Sequence, residues 1–139
     1  MPVLVAIHLI AVSLWGGIVA TEVVLELMPR RSTDTHEFVA RTHYWIDVSL
    51  ELPVIALVIM TGAALTVRAW PVPPVYWVHI GAALVAIGAN LFCVTQVVGR
   101  KRSTSQDQRL VHDRRIRASV AGVLFALVAV VVGFAMAGS

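Results

Sequence analysis

Residues 3–28 read VLVAIHLIAVSLWGGIVATEVVLELM. As an α-helix rising 1.5 Å per residue this run reaches about 39 Å, more than the roughly 30 Å hydrocarbon core of a bilayer. Its ionisable side chains are His8, Glu22 and Glu26 alone. No basic segment precedes it, it is longer than the core of a secretory signal, and it continues into both glutamates without a small-residue cleavage site. It is therefore expected to stay as the first helix of the protein.

Three more apolar runs follow, Tyr44 to Val67, Val75 to Gly99 and Ile116 to Gly138. The breaks between them, Pro29-Arg30-Arg31, Trp70-Pro71-Val72-Pro73-Pro74 and Arg100 to Arg115, carry helix-stopping or strongly polar residues. No run alternates over about ten residues as a membrane β-strand does. The composition agrees: 58% of the 139 residues are hydrophobic and 14% charged, against about 45–50% and 25% in soluble domains. A mean hydropathy of +0.83 excludes disorder. The single cysteine, Cys93, excludes a disulfide framework and a thiolate zinc cluster. The expectation is one all-α domain, an integral membrane four-helix up-down bundle with helices at about 3–28, 44–67, 75–99 and 116–138. In such a bundle the first helix lies diagonal to the third and the second to the fourth.

The basic residues cluster in two links, Arg30, Arg31 and Arg41 in one, and Arg100, Lys101, Arg102, Arg109, Arg114 and Arg115 in the other. By the positive-inside rule both links face the cytoplasm and both termini face outward, in a cell inner membrane. The net charge of +3 is then explained by topology and contact with anionic lipid, and requires no nucleic-acid partner.

An ionisable group at the centre of a membrane helix costs about 3 kcal/mol, so the few present mark sites. At 100° per residue His8, Trp15, Glu22 and Glu26 fall within about 40° of one line. His43, Asp47 and Glu51 follow at i, i+4, i+8, and His79, Asn90 and Cys93 fall within about 60°. Depth divides these residues. His8 and His79 each begin a helix running the same way, so they lie level near the outer face. Two neutral imidazoles across an apolar core are what axial ligation of a b-type haem needs. Trp15 and Asn90 are candidate cofactor contacts. Near the inner face Glu22, Asp47 and Glu51 converge as candidate acid–base groups beside His43, which is a further candidate metal ligand.

The segment His8-Leu9-Ile10-Ala11-Val12-Ser13-Leu14-Trp15-Gly16-Gly17 resembles the opening H-x6-W-x-G segment of the copper-resistance D (CopD) family and of the HemJ-type protoporphyrinogen IX oxidases. Pro53 with Gly62 nine residues on, then Trp77-Val78-His79, is similar to the HemJ-type pattern of the second and third helices. The resemblance implies a four-helix membrane protein with haem b on His8 and His79, and an oxidoreductase served by a membrane electron acceptor such as a quinone. Two features depart from it. His112-Asp113-Arg114-Arg115-Ile116-Arg117 stands where the HemJ-type fourth helix opens on Asn-Glu-x-Pro, and Ile80 replaces a basic residue. The Met and Cys clusters of soft copper sites are also absent from the sequence.

The sequence thus reads as a small membrane haem protein with an electron-transfer or oxidoreductase role in the lipid bilayer, which a homo-oligomer would also suit. Two rivals predict different material. A divalent metal-ion binding or transport protein would use Glu22, Glu26, His43, Asp47 and Glu51. A structural subunit of a membrane complex would carry no cofactor.

Overall fold

The computed structural model describes residues 2–29, 32–120 and 122–137; Arg30, Arg31 and Gly138, which the sequence reading placed in a basic link and at a helix end, lie outside them. The described residues form five helices and no strand: α1 (Pro2–Leu27), α2 (Thr33–Arg68), α3 (Pro74–Arg102), α4 (Gln106–Ser119) and α5 (Gly122–Ala137). Of these, α1, α2 and α3 are long and apolar enough to cross a membrane. α5 has 16 residues, short of the about 20 that one crossing takes.

Two expected boundaries move, each for a local reason. The second helix starts at Thr33 instead of Tyr44, because Ser32 accepts the Thr35 N–H at 3.2 Å and Asp34 faces the positive helix end. The stretch from Arg100 to Arg115, expected to be a link, contains the polar helix α4. There the Ser105 hydroxyl accepts the Gln108 N–H at 3.3 Å. The expected fourth helix from Ile116 is consequently divided, with Ile116 in the last turns of α4. Gly122 then lets α5 close onto Ala89 of α3, where a Cβ would collide.

Between α2 and α3, Pro71, Pro73 and Pro74 remove backbone donors, and Pro74 opens α3 in the first helical turn, where the missing N–H is harmless. α1 packs along the second half of α2, whereas α4 and α5 both pack along α3. Trp15, Ile55, Ala86 and Ile87 join α1, α2 and α3 in a small core, with Val19, Val54 and Ala126 against it. Large apolar side chains such as Val24, Met60, Val67, Leu84 and Val131 point outward, as lipid-facing residues do.

Aromatic pairs flank this apolar surface. Lys101 Nζ lies 3.4 Å over the Tyr44 ring with Trp45 adjacent, and Trp70 meets Trp77 edge-on at 6.2 Å. The helix from Trp45 to Arg68 covers about 35 Å, so the pairs stand where interfacial belts form.

Candidate functional site

Three contacts fix how α1 and α2 face each other: His8 with Thr61, Glu22 with Asp47 and Glu26 with His43. Each step down α1 matches one step up α2, so a single antiparallel register runs the length of the pair. It carries polar residues to two levels. From His8 to Glu22 the helix rises about 21 Å.

At the first level the His8 and His79 rings lie 6.5 Å apart, centre to centre, at 71°. Thr61 Oγ1 donates to the Leu57 carbonyl at 2.7 Å, so its contact with His8 Nδ1 at 2.8 Å is one it accepts. The Ala129 carbonyl can only accept, and it sits 2.7 Å from His79 Nδ1. His79 therefore carries its proton on Nδ1 and presents Nε2 as a lone pair, and His8 does the same with the Thr61 proton on the Leu57 carbonyl. The two are also seated alike. A Cβ on Gly62 would stand 3.3 Å from His8 Cε1, and one on Gly133 would stand 3.1 Å from His79 Cε1. A glycine opposite each ring thus admits it to the helix–helix contact.

At the second level His43, Asp47 and Glu51 are each 1% exposed. On a regular α-helix this i, i+4, i+8 series would drift about 40° per step. From Asp47 to Glu51 the helix instead takes a wider π turn, in which the Leu52 N–H reaches the Asp47 carbonyl. This turn winds more slowly and recovers the drift. Pro53 accounts for its position, since proline lacks an N–H and crowds the carbonyl of Ser49.

Arg100 of α3 organises one side of this cluster, with Nη1 donating to Glu26 Oε1 and Asp113 Oδ1 at 2.9 Å each. Glu26 Oε1 in turn accepts His43 Nδ1–H at 2.7 Å. The bare His43 Nε2 then lies 3.3 Å from Asp47 Oδ1 and 3.9 Å from Glu22 Oε2. Glu51 lies against Trp15 and Asn90, and Cys93 approaches His43. A cavity of about 50 Å³ opens here, lined by Glu22, His43, Asn90 and Cys93 among others.

Folded proteins pair nearly all buried polar atoms. Here Glu22 Oε1, His43 Nε2, both Asp47 oxygens and Glu51 Oε1 are buried without a hydrogen bond, as are Trp15 Nε1, Asn90 Nδ2 and Arg100 Nε. Among the described residues every such orphan belongs to this one region. Glu22, His43 and Asp47 each offer a ligand atom within 4.8 Å of the others and could hold a metal ion.

The residues singled out in the sequence divide as follows. His8 and His79 come together. Glu22, Asp47 and Glu51 converge with His43, so the three histidines do not form one group. Trp15 and Asn90, candidate cofactor contacts, are set on Glu51. Sequence reasoning missed Thr61, the Ala129 carbonyl, Asp113 and the inward role of Arg100, which it counted only as a topology signal. Comparison with protein-family models, with characterised proteins and with solved structures finds no significant match for the chain.

Proposed function

We propose that the chain is a small inner-membrane haem protein of the CopD/HemJ-like kind, with haem b held between His8 and His79 and an electron-transfer or oxidoreductase role. One observation carries this reading: two level histidines, each anchored through Nδ1 with Nε2 turned away from that anchor, with rings 6.5 Å apart. Two imidazoles bound to one ion through metal–nitrogen bonds of about 2 Å can hold their ring centres roughly 6 Å apart, and the separation of His8 and His79 supports the reading that they would hold the iron. When bound, the haem supplies a one-electron couple.

The protein's own residues do the rest. Thr61 and the Ala129 carbonyl hold the orientation of each imidazole, as partners of ligating histidines do. The helices half-bury the pair. Glu22, Asp47 and Glu51 gather carboxyl groups at the opposite end, where protons or a cation can be held. In this reading α5, extended by the last turn of α4, completes a fourth crossing, and Arg41 of α2 and the basic residues of α4 face the cytoplasm.

Absorption spectra of the detergent-purified protein, oxidised and dithionite-reduced, test the proposal. The wild type is expected to show a Soret band and a sharpened α band on reduction, both lost in His8→Ala and in His79→Ala. A folded wild-type protein that is colourless and takes up no added haem would overturn it.

A further inference from the structure

Of the eight buried side-chain atoms without a hydrogen bond among the described residues, four are carboxylate oxygens of Glu22, Asp47 and Glu51, and three are donors, Trp15 Nε1, Asn90 Nδ2 and Arg100 Nε. Carboxylate oxygens only accept. His43 Nε2 joins them, because Nδ1 carries the proton that is given to Glu26. Arg100 is the buried basic side chain among the described residues; its Nη1 donates to Glu26 and Asp113, and its Nη2 lies 3.4 Å from His43 Nδ1, on the side of the ring away from Asp47 and Glu22. Glu22, Asp47 and the His43 lone pair thus converge with no side-chain donor between them, and each residue is more than nine-tenths buried. In a low-dielectric interior such a set stays together when its carboxyl groups take up protons or when a cation sits among them, and the lone pairs that converge here suit a cation.

We propose that Glu22, His43 and Asp47 bind a first-row divalent cation, Mn²⁺, Fe²⁺ or Zn²⁺, with the adjoining cavity leaving a coordination position open to water or a small ligand. Two atoms each about 2.1 Å from one ion stand roughly 3 to 4 Å apart. The His43 Nε2 separations from Asp47 Oδ1 and Glu22 Oε2, 3.3 and 3.9 Å, fall in that interval. The imidazole selects against Mg²⁺ and Ca²⁺, and the absence of a thiolate pair selects against Cu⁺. Glu26 holds His43 as a carboxylate holds a metal-bound histidine, and Arg100 holds Glu26. The cavity of about 50 Å³ exceeds the about 10–15 Å³ that one water needs, but is far too small for a porphyrin. The site is thus distinct in chemistry and level from the His8–His79 pair.

The test uses the full-length chain in detergent, stripped with chelator and titrated with Mn²⁺ alone, free Mn²⁺ being read by electron paramagnetic resonance and Zn²⁺ by competition. One ion per chain is expected. Asp47→Asn and Glu22→Gln are each expected to weaken binding at least tenfold. Glu26→Gln, which removes the carboxylate that orients His43 and pairs with Arg100 while leaving the three ligand groups in place, is expected to weaken it about tenfold. Should a variant not fold, the wild-type melting temperature decides, because a cation bound only by the folded state raises it. Zn²⁺ is expected to raise it and Mg²⁺ to leave it unchanged. Sub-stoichiometric binding by folded wild type, as a cluster compensated by protons alone would give, overturns the proposal, as does equal affinity in a folded Asp47→Asn variant.

Discussion

The two polar levels of this protein use the same device with opposite electrostatics. At both, a histidine reaches across a helix pair and gives its Nδ1 proton away, leaving Nε2 bare. Around His8 and His79 the acceptors are neutral, a threonine hydroxyl and a backbone carbonyl. Around His43 the acceptor is Glu26, pinned by Arg100, with further carboxylates beyond it. A neutral anchor leaves an imidazole with ordinary donor strength in an apolar slot, suited to iron whose charge a porphyrin already offsets. A carboxylate anchor amid unpaired acceptors creates a deficit of positive charge. The partner of Nδ1 thus separates two sites that composition alone would merge into five histidines and eight acidic residues.

The contrast can be broken at either end. The largest effect is expected from His79→Ala, which should abolish the Soret band of purified protein while the helical circular dichroism is retained. A band of wild-type intensity would move the haem elsewhere. Next comes Arg100→Leu, which leaves Glu26 and Asp113 without their shared guanidinium. Removing one partner of a buried ion pair costs about 3 kcal/mol, readable as a lowered denaturation midpoint. An unchanged midpoint would show that Arg100 is not integral to the buried network.

Thr61→Val keeps the size of the side chain and removes the acceptor from His8 Nδ1. It should weaken haem retention about tenfold, measured by transfer to apomyoglobin, and leave divalent-cation affinity at the other level unaltered. Equal haem-transfer rates in variant and wild type would remove Thr61 from the account. The smallest effect belongs to Ser32→Ala, which removes a helix cap worth about 1 kcal/mol and so should lower the melting temperature by a few degrees without changing either site.

The spans were legible because hydropathy reports them directly: the runs at 3–28 and 75–99 lie within a few residues of α1 and α3. The polar helical segments were not, since Thr33 to Tyr44 and Gln106 to Ser119 look like links when apolar length is the only signal. Their caps were present all the same, in Ser32 and in the Ser105-x-x-Gln108 spacing that marks a helix start. The level of His8 with His79, and the convergence of Glu22, Asp47 and Glu51, followed from depth and periodicity. The partner of His8 was within reach, because extending the register set by Glu26 and His43 up the hairpin arrives at Thr61. The partner of His79 is a backbone carbonyl, which no residue identity announces. Arg100 was hidden by its neighbours: in Arg100-Lys101-Arg102 nothing local distinguishes the arginine that turns inward from the residues that face the interface.

The measurement that bears most directly on two separate sites is metal analysis of one purified preparation, with haem iron and non-haem metal counted per chain in wild type, His8→Ala and Asp47→Asn. The account expects wild type to hold both, His8→Ala to lose the haem iron alone, and Asp47→Asn to lose the non-haem metal alone. Loss of both from either folded variant, or of neither from both, would contradict it.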